Sequence, residues 1–424
     1  MSYKQKFYNF NSKLDIIKDI KKLKDVYLKV IDEFKAKKLE CLSIVNDDVQ
    51  KKIIKQMSGE LRRFEIILFL GTGGSSLGGK TLYAIKNNQF INTNTPKIYF
   101  IENIDSGPII ELLNNINLKK TGVVVVSKSG ETIETLSQFF MIKGFYRNIV
   151  KDFSKNLYII TENKNSTLKR IQENLNCSYF EHSKLIGGRY SIFSLVGMVP
   201  AELSNLSSEK IHEGGAKILN QMLRTKVIHE FPPALGALNN FNLIKQGINQ
   251  NILMPYSDSL LNFSMWFRQL WGESVGKDGK GSTPISGLGT VDQHSQLQLY
   301  LDGPKDKFIT ILSLKNKTKS TELDCRVSKN FIYKNLHNKT MNDLLKAETM
   351  ATFETLKKKN IPIRMIELES NEEETIGSLL MHFFLETIFT CYLLEIDPFS
   401  QPAVEEGKKL AIKYLNHGKN QTSF

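Results

Sequence analysis

Four short apolar runs, bounded by polar or turn-forming residues and separated by stretches of helical periodicity, limit what this chain can fold into. They are 65–70 (EIILFL), 97–101 (KIYFI), 122–126 (GVVVV) and 157–160 (LYII). Runs of this length, rich in Val and Ile and lacking polar alternation, suit strands covered on both faces, as in parallel sheets joined by crossover helices. After a Pro-containing break at 231–233 the pattern repeats more weakly. Its strands are expected at 252–256, 308–312 and 361–366, with long helices at 260–270 and 375–394. An α/β chain of two tandem doubly wound parallel-sheet domains is therefore expected, 48–204 and 205–424, with flanking N- and C-terminal helices. Residues 1–47 form the N-terminal helical segment, in which Leu14, Ile17, Ile20, Leu23, Tyr27 and Val30 mark an amphipathic helix over 12–36. A length of 424 residues fits two such domains better than one core.

The 57 basic and 44 acidic side chains leave a net charge of +13. The lysines are dispersed and no block of five like charges occurs, so nucleic acid is disfavoured, and the excess fits anionic lipid, small anionic substrates or simply a Lys- and Asn-heavy surface. Cys41, Cys177, Cys325 and Cys391 form no CxxC pair, which argues against a disulfide framework or thiolate zinc site and for a reducing cytoplasm. The first 25 residues mix both charge signs and contain no apolar core of a secretory signal. The apolar stretch 379–394 carries His382 and Glu386 and falls short of a clean membrane span, so it is expected to be a buried helix. No membrane partner is expected.

In doubly wound sheets ligands lie beyond the carboxyl ends of strands. Two loops there are built for an anion. Gly71-Thr72-Gly73-Gly74-Ser75-Ser76-Leu77-Gly78-Gly79-Lys80 lets backbone N–H groups approach a ligand, and its serines can cap the following helix. Ser127-Lys128-Ser129-Gly130-Glu131-Thr132 places three hydroxyls beside a helix start, where Ser127, Ser129 and Thr132 can converge on one phosphate. Gly74 to Thr81 also satisfies the G-x-x-x-x-G-K-[ST] pattern of nucleotide-hydrolysing loops. That match begins late after a strand ending at Leu70 and leaves the second loop unexplained. A dinucleotide fingerprint fails because its third glycine is Ser76.

The two H-E-x-x-H starts, at His212 and His229, end in Ala216 and Pro233, so no zinc site of that kind arises and no metal is expected. Glu273 emerges between glycines at the end of an aromatic-rich helix. Desolvation beside Trp271 and Phe267 would suit a general base, although such a position, taken alone, more often holds a solvated helix-end residue. His294 lies in a glycine-led loop turning into a helix.

GTGGSSLGG, SKSGETIET, GGRYSIFSLVG, QLWGESVGK, GTVDQHSQ and QPAVEEGKKLA follow one another in this order from Gly71 to Ala411. Together they resemble the glucose-6-phosphate isomerase (phosphoglucose isomerase) family, which implies two sugar-isomerase (SIS) domains of the flavodoxin-like αβα sandwich type. The C-terminal motif departs from the family pattern, with Ser400 before Gln401 and Ala403 before Val404. The resemblance implies conversion of glucose 6-phosphate to fructose 6-phosphate through a cis-enediol, without cofactor. It implies that Ser127, Ser129, Thr132 and the Lys128 backbone hold the phosphate, and that Gly74, Ser75, Gln269 and Gln401 line the sugar. Glu273 would move the proton between the first two carbons, and Arg189 would stabilise the enediolate. His294 and Lys408 would open the ring, with Glu134 in support, orienting His294. In this family the histidine comes from the neighbouring subunit, so a homodimer with shared sites is implied. A non-catalytic sugar-phosphate sensor would share both anion loops but has no need of Glu273, Arg189, His294 and Lys408 together.

Overall fold

The computed structural model describes residues 2–10, 16–87, 96–147, 149–315, 320–329 and 331–416. The strands, in chain order, are β1 (Tyr3–Tyr8), β2 (Ile66–Leu70), β3 (Lys97–Ile101), β4 (Thr121–Val126), β5 (Leu157–Thr161), β6 (Ser178–Glu181), β7 (Gln250–Pro255), β8 (Thr283–Ser286), β9 (Lys307–Leu314), β10 (Arg326–Ser328), β11 (Phe331–Ile332) and β12 (Ile363–Leu368). One five-stranded sheet runs β3-β2-β4-β5-β6, all parallel. Numbered from β2, that is the flavodoxin-like order 2-1-3-4-5, which reverses between β2 and β4.

The second sheet runs β1-β12-β9-β7-β8. Its four strands from β7 onward are parallel, but β1 is antiparallel to β12, pairing Tyr3 with Leu368 and Tyr8 with Ile363. The segment 1–47 is thus not helical throughout: its first strand closes the edge of the far sheet, and the helix is Ile16–Lys35. Lys4 and Lys6 are exposed between Tyr3, Gln5 and Phe7, the alternation of an edge strand kept from further pairing. Leu14, expected in that helix, lies outside the described residues.

Central strands send alternate residues to opposite faces, and here both faces are apolar. Ile67, Phe69, Val124, Val126 and Ile160 pack into a core that continues to Leu253, Leu312 and Ile366 of the second sheet. Leu68, Leu70, Val123, Val125 and Ile159 pack into a separate outer core, and Ile252, Met254, Ile309, Ile311 and Ile363 into a third. The layer between the sheets is helical. Its helix Glu373–Leu393 is buried on all sides, which explains an apolar composition long enough to suggest a membrane span.

That helix carries one charged group in its interior. Glu386 accepts from Arg364 Nη1 at 2.6 Å, from Asn240 Nδ2 at 2.8 Å and from the His382 ring at 2.9 Å, while Tyr3 OH donates to His382 Nδ1 at 2.7 Å. Burial alone would raise the Glu386 carboxyl. Arg364 and His382 outweigh it and hold the group down at about 2. Burial lowers His382, so the imidazole is neutral and donates to Glu386 while accepting from Tyr3.

Candidate active site

The loops leaving β2 and β4 flank the reversal in strand order. After β4, Ser127 Oγ lies 2.8 Å from Thr132 Oγ1 and 3.5 Å from Ser129 Oγ, and accepts the Gly130 N–H at 3.1 Å. Ser129 Oγ accepts from Glu131 N at 3.1 Å. Gly130 has φ of 70°, and a Cβ there would lie 2.2 Å from Ser166 Oγ, so only glycine closes this turn. The helix Ile133–Tyr146 begins next, with its first N–H groups lacking intrahelical partners. Three hydroxyls and a helix N-terminus thus lie together in one loop, a candidate anion cradle. The Lys128 side chain turns away, donating to Lys184 O at 2.8 Å, which leaves only its backbone toward the cradle.

After β2 the chain makes a 3-10 turn, Gly73–Ser75, before the helix Leu77–Lys86. Ser76 stands at the cap position, yet its hydroxyl does not cap the helix. It donates to Glu102 Oε1 at 2.7 Å, and Lys80 Nζ pairs with the other oxygen of Glu102. Lys80 is therefore committed to a carboxylate at the end of β3. The two glycines pack against the neighbouring elements. A Cβ on Gly73 would lie 2.9 Å from Gln269 Nε2, and one on Gly74 would lie 2.1 Å from the Gly188 carbonyl carbon. Ser191 Oγ donates to Gly74 O at 2.9 Å. Ser75 follows, half-buried.

Arg189 is the centre of the arrangement. Its side chain is 1% exposed and lies in the 3-10 segment Gly188–Phe193. Nε donates to Ser274 Oγ at 2.7 Å. Nη1 donates to Gln401 Oε1 at 2.6 Å and Glu273 Oε2 at 3.3 Å. Nη2 donates to the carbonyls of Pro398 at 2.6 Å and Ser400 at 3.1 Å. All five guanidinium donors are engaged, and residues far apart in sequence converge on one planar group.

Glu273 lies near the end of the helix Leu261–Val275, where its Oε1 accepts from Gln269 Nε2 at 2.8 Å, an i,i+4 pair. Of the two readings of Glu273, the solvated helix end is the nearer, for the aromatics give it no shelter. Trp271 precedes it by two residues, roughly 200° around the helix, so Trp271 and Phe267 fill the core while Glu273, with its side chain 35% exposed, faces Arg189.

Two expected site residues stand apart. His294 ends the 3-10 turn Val291–His294 and is exposed. Its loop is pinned by Asp292, which accepts from Leu288 N at 2.7 Å, and by Gln293, which bonds Tyr256 OH at 3.0 Å and Glu348 at 2.9 Å. Among the described residues no hydrogen bond joins His294 to the half-buried Glu134. Lys408 is exposed on the helix Glu405–Asn416 and pairs with Glu405 at 2.6 Å. Ser274, the carbonyls of Pro398 and Ser400, and Glu102 belong to the site's framework without having been foreseen. Only Ser274, adjacent to Glu273 in a glycine-flanked motif, had a local signal.

A sequence profile described as phosphoglucose isomerase matches residues 45–424. A probable glucose-6-phosphate isomerase of Methanococcus maripaludis is 34% identical over 92% of this chain and 88% of its own length. The glucose-6-phosphate isomerase of Rubrobacter xylanophilus is 33% identical over 80% of each. Among solved structures, a hypothetical protein of Thermus thermophilus superposes with a TM-score of 0.84 at 27% identity, covering 93% of this chain and 94% of that one. A glucose-6-phosphate isomerase of Chlamydia trachomatis superposes with a TM-score of 0.73 at 25% identity, covering 88% of this chain and 74% of that one. With the profile spanning all but the first 44 residues, and the β2 loop packed against Gln269 and the Gly188–Arg189 segment that hold Glu273, the chain belongs to the phosphoglucose isomerase family.

Proposed function

We propose that the chain interconverts D-glucose 6-phosphate and D-fructose 6-phosphate through a cis-enediol, with Glu273 as the base. The observation that carries this is a carboxylate fixed between Gln269 and Arg189 beside a loop that touches both, one strand away from a phosphate cradle. Residues 48–204 supply the cradle, Gly74, Ser75 and Arg189; residues 205–424 supply Gln269, Glu273 and Gln401. The phosphate, held by Ser127, Ser129, Thr132 and the Lys128 backbone, positions the open-chain sugar from a point remote from the reacting carbons. Glu273 removes the C2 proton of the aldose. The electron pair forms the C1–C2 double bond as the C1 carbonyl oxygen takes the negative charge. The O2 proton passes to O1, leaving the charge on O2. Return of the first proton to C1 as the O2 electron pair forms the C2 carbonyl completes the exchange.

Arg189 supports the enediolate chiefly by fixed positive charge, since its donors are already engaged. An oxyanion reaching Nη1 shares that edge with Gln401. His294 and Lys408 are assigned to ring opening, with Glu134 in support. Both are exposed, and His294, flanked by the exposed Val291 and Leu299, is proposed to enter the site of a second copy in a homodimer. Four unpaired thiols support a cytoplasmic location. The test is a coupled assay for fructose 6-phosphate, repeated with a chelator, on the wild type and Glu273→Gln. Turnover should fall at least ~10²-fold in the variant if Glu273 carries a usual share of general-base catalysis. Near-normal turnover in purified, folded variant would remove the assignment.

A further inference from the structure

We propose that Lys277 is a positioning residue for this reaction, clamping the turn that carries Gln401 onto the helix that carries Glu273. Lys277 and Lys280 flank Asp278-Gly279, whose φ values are 53° and 68°. Lys280 N donates to Lys277 O at 2.8 Å, and the two lysines form an antiparallel bridge. A two-residue turn with positive φ at both positions sends its flanking side chains out on one face. Both ammonium groups then meet the chain leaving the helix Glu373–Leu393. Lys280 Nζ donates to Leu394 O at 2.9 Å, and Lys277 Nζ donates to Asp397 O at 2.6 Å.

Lys277 makes a second bond, to Ser274 O at 2.7 Å, one residue beyond the base. The segment it grips is itself rigid. The Asp397 carboxylate accepts from Phe399 N at 2.9 Å and Ser400 N at 3.1 Å, and Arg189 takes the carbonyls of Pro398 and Ser400. The turn from Asp397 to Gln401 is thus held by Arg189 at one end and Lys277 at the other. A lysine that merely satisfied the end of its own helix would need only the Ser274 bond. The bond to Asp397 links two elements that each carry a site residue. Burial and the nearby Arg189 cation both lower the Lys277 ammonium, as expected where two cations flank one turn.

This inference rests on the assignment of Glu273 and Gln401 above, so the experiment includes Glu273→Gln as a reference. Lys277→Met, Lys277→Gln and Lys277→Arg are assayed for kcat and KM with fructose 6-phosphate, for inhibition by inorganic phosphate, and for thermal midpoint. Freeing the Gln401 turn by an ångström should lower kcat roughly 10- to 100-fold and raise KM several-fold in Lys277→Met. Inhibition by phosphate, which depends on the β4 loop, should be unchanged, and Lys277→Arg should recover most of both constants. Lys277→Gln, which retains one donor bond, should fall between and serves if the Met variant does not fold. Wild-type constants in the folded variants overturn the proposal. So does a lower Vmax with unchanged KM and a lower midpoint, the mark of lost folded protein. If Glu273→Gln itself retains full turnover, the assignment of the base fails instead.

Discussion

Replacing Gly74 with alanine tests whether the glycine-rich loop is there to let two backbones meet. A Cβ at this position would lie 2.1 Å from the Gly188 carbonyl carbon, 2.3 Å from its oxygen and 2.7 Å from Arg189 N. Carbon atoms rest at roughly 3.5–4.0 Å, so the two segments must part by more than ~1 Å. Neither contact is the tip of a flexible side chain that can swing aside. Overpacking of this kind costs about 1–3 kcal/mol of stability. The larger effect is catalytic, because the displaced segment is the one that sets Arg189, and Arg189 holds both Glu273 and Gln401. A misplacement near 1 Å is worth about 10²-fold in rate, or roughly 2.7 kcal/mol. The coupled assay should therefore show kcat/KM reduced by about two orders of magnitude, with a thermal midpoint lowered by several degrees. Gly59→Ala is the control. Gly59 lies exposed in the helix Asp48–Leu61 with nothing within 4 Å of its Cβ position, and its replacement should stabilise by ~0.5–1 kcal/mol without touching turnover. If Gly74→Ala retained activity within about threefold of wild type at an unchanged midpoint, close approach of the loop to Arg189 would not be what the glycine provides.

Ser129→Ala and Thr132→Ala should mainly raise KM, since each removes a ground-state phosphate contact; identical KM values in wild type and both variants would count against the β4 loop as the cradle. Co-refolding Glu273→Gln with His294→Ala, each nearly inactive alone, should restore about a quarter of wild-type activity if each site draws its base and histidine from different subunits of a two-fold dimer. No recovery in a verified mixed dimer would assign both residues to one chain. Glu386→Gln leaves Arg364 buried without its counter-charge and should cost about 3–5 kcal/mol, read as a lower thermal midpoint at pH 7. Because the folded Glu386 carboxyl is held at about 2, below its ordinary 4.5, its stabilisation is fully present above pH 4.5 and is lost as pH falls toward 2. Between pH 5 and 3 the wild type should therefore lose more midpoint than Glu386→Gln, and parallel losses would refute the pairing.

The interior strands were legible because burial on both faces leaves no polar alternation to confuse them. β2, β4, β5, β7, β9 and β12 all fall within two residues of an apolar run visible in the chain, as does β3, an edge strand with a run of its own. What escaped were the other edges. β1 alternates lysine with aromatics, β6 is four residues long, and β8 contains Pro284, which is tolerated at an edge. Edge strands bury one face and part of one side, so they need fewer apolar residues and leave a weaker trace. The pairing of β1 with β12 adds a further difficulty. It joins residues more than 350 positions apart, and nothing local in YKQKFY names its partner.

The same physics divides the site. Gly130 and the hydroxyls around it are arranged by backbone geometry within six residues, so the motif contains nearly the whole of the proposed cradle. Gln269 and Glu273 are one helical turn apart and equally readable, though their phase, set against Trp271 and Phe267, decides what the carboxylate meets, and only the packed structure supplies that. Arg189 is the opposite case. Its partners lie 85 residues away at Ser274 and 212 at Gln401, and two of its five bonds go to main-chain carbonyls that carry no residue signature. A guanidinium with every donor engaged cannot rotate to follow the substrate. Adjustment to the changing charge of the reaction must then come from Glu273 and Gln401, both on the far side of Nη1. Substitutions that loosen the Gln401 turn, which includes the Pro398 and Ser400 carbonyls the arginine holds, should accordingly impair the reaction.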